Sequence, residues 1–414
     1  MPPIAAPAAP ANPASHPQTS PALVVLVLAL LLGIQPVTTD LYLPALPALT
    51  AELGAHMGHA QLTLTALLLA FGCAQLVLGP LSDRFGRRPV LLWGLAAYVL
   101  ASIGGVVAGS IELLIVWRTL QGAAMGAAVM AARAIVRDLY QPADGARVMS
   151  RALTGLGVIA CLCAPVGGVL ADLFGWRVAL AMPALFGAAT LGLVAMRFDE
   201  SLARRNPDAL RPGTLLATWS RVLRHPTFLA FSALTTCAYG VLFTFLASSS
   251  FVFIQVLGLS RTQYGLVMLW SSLSYIAGTF MCRRWLPRFG VRGSIARAAG
   301  LTLAGGTVMG LLALAGIQAT WAIVAPLTLI MLAHGVHQPC GQTGAVGPFP
   351  QAAGAASALN GFLMMLAAFG IGAWLGTRMD GTTLPLALGM WFWSVCIALV
   401  AWTLVRRLGD PHGH

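Results

Sequence analysis

Gly79-Pro80-Leu81-Ser82-Asp83-Arg84-Phe85-Gly86-Arg87-Arg88-Pro89 is the densest cluster of charge in the chain, and it lies between two apolar runs each long enough to cross a bilayer. The rest of the chain is oily. Of its 414 residues, 58% are hydrophobic and only 9% are charged, with a mean hydropathy of +0.82, whereas a soluble domain carries about 25% charged residues. That composition is expected of a polytopic membrane protein. The formal net charge of +12 does not point to nucleic acid, because the arginines are dealt out in small groups between apolar runs, and such spacing marks membrane topology rather than a binding patch. No lysine occurs, so the Gly-Lys-Ser/Thr phosphate loop of ATP-driven machines is absent. HExxH, GxSxG and Cys/His clusters are missing too, and the few intramembrane acids are too scattered for a paired-carboxylate centre. No enzyme activity, cofactor or metal is therefore expected. The seven cysteines lie in or beside apolar segments and read as free, packed thiols.

From residue 22 the chain resolves into twelve apolar stretches, the first at 22–43 and the last at 384–405, each about the 20 residues a helix needs to cross about 30 Å of hydrocarbon. Helices are required because lipid offers no partner to a free backbone group. With the N-terminus inside, only Arg177, Arg261 and Arg378 fall on the outer face and Arg118 within a helix. The positive-inside rule then places both termini in the cytoplasm. Residues 1–21, rich in Pro and Ala, read as a disordered cytoplasmic tail, and 406–414 as a second short tail. The polar stretch 198–225 divides the spans into bundles at 22–197 and 226–405. Arg288-Phe289-Gly290-Val291-Arg292, after the eighth span, echoes Arg84-Phe85-Gly86-Arg87-Arg88, after the second. The expected fold is all-α, with 12 transmembrane helices in two pseudo-symmetric six-helix bundles, as in many secondary transporters.

Several residues stand out on chemical grounds. Asp40 ends the first span, and an ionisable group in or at the mouth of a bundle is expensive enough to suggest proton coupling; the alternative is a helix-end acid in water. Arg118, inside the fourth span, is the natural electrostatic partner for it, unless it serves only to bond backbone carbonyls. His334, His337 and Gln338 share one face of the tenth span, fit either to bind substrate or protons or to pack. Gln75 and Asn360 are polar groups suited to a cavity or to interhelical bonding, and Tyr42, Phe71, Tyr239 and Phe243 are candidates for a substrate-cavity wall.

The quoted turn resembles the signature of the major facilitator superfamily after its second helix. That resemblance assigns Gly79, Asp83, Arg84, Gly86, Arg87 and Arg88 to a gating latch. In it Gly79 would permit close helix packing, Asp83 would accept from a neighbouring helix N-terminus and from arginine, and Gly86 would allow a sharp turn. Arg118 with Gln121 and Gly122 resembles the superfamily's arginine motif. Ala164-Pro165-Val166-Gly167-Gly168 resembles its antiporter motif, with Ala164 where glycine is usual. Thr39-Asp40-Leu41-Tyr42-Leu43-Pro44 and Ala134-Ile135-Val136-Arg137-Asp138-Leu139-Tyr140 are similar to the bicyclomycin/chloramphenicol-resistance (Bcr/CflA) branch of the drug:proton antiporters. The resemblance implies a monomer in a bacterial inner membrane that exports small amphipathic drugs in exchange for protons, with bilayer, protons and a small-molecule substrate as its partners and no nucleic acid. Transport of an endogenous metabolite on the same fold, or a non-transporting receptor, stays open.

Overall fold

The computed structural model describes residues 20–140, 142–202 and 205–408. Of the expected tails 1–21 and 406–414, residues 1–19 and 409–414, together with Arg204 of the connection, lie outside the described residues; Pro21 already belongs to the first helix and Arg406–Leu408 is helical. Helices dominate, and no strand occurs among the described residues. Ser20 starts α1 (Pro21–Thr39) by accepting the Leu23 N–H at the N-cap, with Pro21 in the first turn, where its missing N–H costs nothing. α1 stops at Thr39, four residues short of the expected span. The chain does not leave the bundle there: a tight turn at Leu43–Ala45 and a short helix at Leu46–Glu52 carry it onward. Pro36, Pro44 and Pro47 explain the change of path, since each removes a helical donor.

Next come α2 (Met57–Phe85), α3 (Arg87–Val106), α4 (Ile111–Leu139), α5 (Pro142–Phe174) and α6 (Trp176–Arg197). The connection after α6 contains a linker helix, Pro212–Leu223, and leads into α7 (Pro226–Ser250). A continuous helical segment, Arg261–Leu314, follows; at 54 residues it is more than twice the length that crosses about 30 Å of hydrocarbon. It breaks at Gly290 (φ 64, ψ −178), giving α8 (residues 261–289) and α9 (residues 291–314). α10 (Thr320–Val346), α11 (Ala353–Arg378) and α12 (Leu384–Val400) complete the set. Eleven apolar segments, one of them doubled by the Gly290 break, make twelve crossings.

The halves pack in matching fashion. α2 lies against α4 and α1 against α5, while α8 lies against α10 and α7 against α11; between the halves, α2 meets α11 and α5 meets α8. Close approach depends on small residues, as expected where lipid supplies no hydrophobic drive between helices. A side chain at Gly122 of α4 would run into the Leu67 carbonyl of α2, and one at Gly278 of α8 into the Leu332 carbonyl of α10. The end of the bundle where α1 gives way to α2 is called outer below, and the end bearing the quoted turn, inner.

Candidate functional site

Asp40 caps the C-terminus of α1, its N–H donating to the Pro36 carbonyl at 2.8 Å. Its carboxylate accepts from the Thr39 hydroxyl at 2.8 Å. The helix does end at Thr39, as the plainer expectation had it, but not in open water: Asp40 is half-buried inside the 32-residue span Pro21–Glu52, and residues 41–47 beyond it are buried. The turn at Leu43–Ala45 just beyond it packs against α5, α7 and α8, the helices that carry Cys163, Tyr239 and Tyr264. The acid thus stands at the seam between the two halves. Tyr264 shares a hydrogen bond with Ser249 at 2.8 Å, and the Tyr239 ring stacks on Phe243 with centroids 6.1 Å apart.

Arg118 is not the partner of Asp40. Only 2% exposed, it donates to the Gln121 side chain at 2.8 Å and to the Thr38 carbonyl at 3.0 Å, reaches toward the Thr63 carbonyl at 3.4 Å, and lies 4.4 Å over the Tyr42 ring. Gln121 in turn donates to Ser102 at 2.7 Å, Tyr42 bonds Thr63 at 2.6 Å and Tyr98 bonds Thr38 at 2.6 Å. A guanidinium offers five donors in a fixed fork, and here neutral acceptors from α1, α2 and α4 meet them. Arg118 therefore ties α1 and α2 to its own helix α4, α3 joins through Gln121 and Ser102, and Tyr42 belongs to this layer.

At the inner turn, Arg87 is the hub. Its buried guanidinium meets Asp83 at 2.5 Å, Asp138 of α4 at 2.8 Å and the Ser82 hydroxyl at 2.5 Å. The expectation that Asp83 accepts from a neighbouring helix N-terminus is corrected, because Glu200, just past α6, fills that place. Its oxygens take the N–H groups of Arg87 (2.9 Å), Arg88 (3.2 Å) and Leu202 (3.1 Å), where the exposed donors and dipole at the start of α3 favour an anion. The Arg88 side chain donates to the Phe198 and Ala195 carbonyls at 2.7 and 2.8 Å. Gly86 makes the sharp turn, with φ +109. Gly79 has open space where its side chain would be, so close packing there is also corrected; Gly122, Gly126 and Gly72 perform that function.

Pro165, Gly167 and Gly168 sit where α5 meets two neighbours. A side chain at Gly167 would enter the Leu41 carbonyl just past α1, one at Gly168 would meet the Arg261 carbonyl of α8, and Pro165 lies against Gly265. Nearby, Asp172 accepts from the Thr262 N–H (3.0 Å) and hydroxyl (2.8 Å), while Arg261 donates to the Ala171 carbonyl (2.7 Å). Gln61 of α2 donates to the Ala247 carbonyl of α7 at 2.7 Å. These bonds join the halves at the outer end. At the inner end Arg133 of α4 reaches Ser357 of α11 at 2.9 Å.

The remaining candidates are dispersed. His334 faces the Tyr275 ring and His337 bonds Thr302 at 3.2 Å, so both are buried against α8 and α9 of their own half. The Gln338 carbonyl oxygen is buried with no partner among the described residues. Asn360 accepts from Thr235 at 2.8 Å, joining α11 to α7. Gln75 lies beside Gly361 across the α2–α11 contact, and Phe71 is buried.

Over residues 28–373 the chain matches the Major Facilitator Superfamily. The chain belongs to that superfamily. It is 29% identical over 324 residues to the chloramphenicol resistance protein of Pseudomonas aeruginosa, covering 77% of this chain and 75% of the relative. To multidrug resistance protein D of Escherichia coli it is 28% identical over 339 residues, covering 82% and 84%. The crystal structure of a D-xylose-proton symporter superposes with a TM-score of 0.72 at 16% identity, over 95% of this chain and 99% of that one. The fold is that of the superfamily's multi-pass membrane transporters.

Proposed function

We propose that this chain is a proton-coupled exporter of small amphipathic compounds, drugs among them, of the bicyclomycin/chloramphenicol-resistance branch. It works from the bacterial inner membrane with both termini in the cytoplasm, by alternating access of its two halves. The observation that carries the reading is Asp40, an acid inside an apolar span whose next turn packs against α5 of its own half and against α7 and α8 of the other. A carboxylate at the seam gains or loses its proton as the seam closes or opens, because its surroundings alternate between apolar and wet. The resistance proteins among its relatives support export and an antibiotic-like substrate. Arg118 supports coupling indirectly, by fixing the Thr38 end of α1 just before Asp40.

The energetics suffice. One proton moving down about 100 mV supplies about 2.3 kcal/mol and one pH unit about 1.4 more, enough to concentrate a neutral substrate several hundred-fold. The test is flux in proteoliposomes under an imposed pH gradient, over phenicols, bicyclomycin, dyes and amino-acid metabolites. Asp40→Asn is expected to abolish gradient-driven accumulation while substrate exchange without a gradient persists. Wild-type accumulation in that variant removes Asp40 from coupling. Movement of a metabolite alone, with every drug behaving as in a transport-dead control, replaces drug export with metabolite transport.

A further inference from the structure

Two grooves open on the flanks of one side chain, Trp93 of α3, which is 79% exposed on the bundle surface. One groove, of about 430 Å³, runs between α3 and α6 and is lined by Leu92, Ala96 and Leu191 with Arg88. The other, of about 640 Å³, runs between α2, α3 and α4 and is lined by Leu78, Phe85, Gly94 and Ala124 among others, with Arg205. Its floor is formed where Gly94 lets α3 come against Ala127 of α4; a side chain at Gly94 would lie 2.3 Å from the Ala127 methyl. Trp93 follows the first residue of α3 by six positions, about 9 Å along the axis, which is acyl-chain depth just beneath the headgroups.

The charge at these grooves is positive. Arg88 anchors its guanidinium on two carbonyls and pairs with no carboxylate through it among the described residues. Arg205 is exposed and makes no ion pair among the described residues. Glu200 stands close by, but its oxygens are taken by backbone N–H groups.

We propose that one anionic glycerophospholipid of the inner leaflet straddles Trp93, an acyl chain in each groove and its phosphodiester facing Arg88 and Arg205. Two apolar channels on either side of a single ridge match a two-chain lipid, and an arginine in each matches an anionic headgroup rather than a zwitterionic one. The site also touches the turn: Asn206, next to Arg205, donates its N–H to the Asp83 carbonyl at 2.8 Å. A lipid held there braces the segment that holds the start of α3.

The experiment titrates the delipidated full-length chain, in neutral maltoside micelles, with phosphatidylglycerol or phosphatidylcholine and counts bound lipid by native mass spectrometry. The wild type is expected to retain one phosphatidylglycerol in preference to phosphatidylcholine. Loss of one arginine near the membrane surface is worth about 1 kcal/mol, so Arg205→Gln should weaken phosphatidylglycerol about fivefold and leave phosphatidylcholine unchanged. Trp93→Ala, a change at an exposed position, should weaken both lipids alike; circular dichroism verifies that each variant is folded. Equal binding of the two lipids by the wild type overturns the proposal, as does an unchanged preference in Arg205→Gln. Displacement of phosphatidylglycerol by millimolar inorganic phosphate overturns it too, since the site would then recognise an anion without its chains.

Discussion

The turn after α2 and its echo within the long α8–α9 segment share a backbone and differ in charge. Gly86 and Gly290 both adopt a conformation nearly exclusive to glycine, with φ 109 and ψ 154 at the first and φ 64 and ψ −178 at the second. Both let one helix end and the next begin within a residue. At the first, three acids converge: Asp83 and Asp138 on the Arg87 side chain, and Glu200 on the start of α3. At the second, Pro287 stands where Asp83 stood, and Arg297 lies 3.5 Å over the Phe289 ring while donating to the Gly293 carbonyl. Repetition preserved the geometry of the bend, while the acids gathered on Arg87 and on the start of α3 belong to the first turn. The bend is therefore a requirement of chain topology, and the cluster is an addition to it.

The largest effect expected from breaking this asymmetry follows removal of the hub. Arg87→Gln leaves Asp138, with an 11% exposed side chain, only the exposed Arg137 at 3.8 Å, and removing the close partner of a buried charge costs up to about 3–5 kcal/mol. Arg288→Gln, at the exposed place in the echo, should leave stability unchanged. Unfolding of the two purified variants in detergent measures the difference; similar losses in both would mean that the cluster does not distinguish the halves.

A smaller difference separates the two glycines. Alanine at either position carries the strain of a glycine-only backbone, about 1–3 kcal/mol. At Gly290 the new methyl meets open space, whereas at Gly86 it would sit 2.5 Å from Glu200 and push that carboxylate off the start of α3. Loss of such a cap costs about 1 kcal/mol, so Gly86→Ala should be less stable than Gly290→Ala by about that amount. Glu200→Ala in the Gly86→Ala background should then add little, which a double-mutant cycle tests.

The twelve crossings were legible because hydropathy over about 20 residues is a strong signal and the arginines punctuate it. The Gly290 break was legible in outline, since the echo predicts a turn there, although the helix hardly pauses. The partners of Arg118 were not. Its acceptors include the carbonyls of Thr38 and Thr63, groups every residue carries, so nothing in the sequence marks them against the more obvious acid at Asp40. Glu200 was hidden for a related reason: a carboxylate over a hundred positions from the helix it caps has no local motif. Gly79 and Gly86 illustrate the same limit, as identical residues seven apart of which only one has a positive φ and a close neighbour. That the helices carrying Tyr239 and Tyr264 pack just beyond Asp40 depends on how the halves meet, and only one of the two tyrosines stood out among the aromatics.

Within the cluster, the smallest expected change in stability falls on Asp83, and it separates packing from gating. Its side chain is 38% exposed, and Arg87 keeps Asp138 when Asp83 is neutralised. Asp83→Asn should therefore cost at most about 1 kcal/mol and insert normally. In this structure Asp83 bonds Arg87 of its own half and, through its carbonyl, the Asn206 N–H of the connection. A latch that works by alternating partners takes a different one in the other state of the transport cycle, and the element of the other half that packs against α2 is α11, whose early residue Ser357 already meets Arg133 of α4. Transport in Asp83→Asn should then fall several-fold although unfolding barely moves. Wild-type transport in that variant would leave the cluster as a brace within one half, and the difference between the two turns would be one of stability alone.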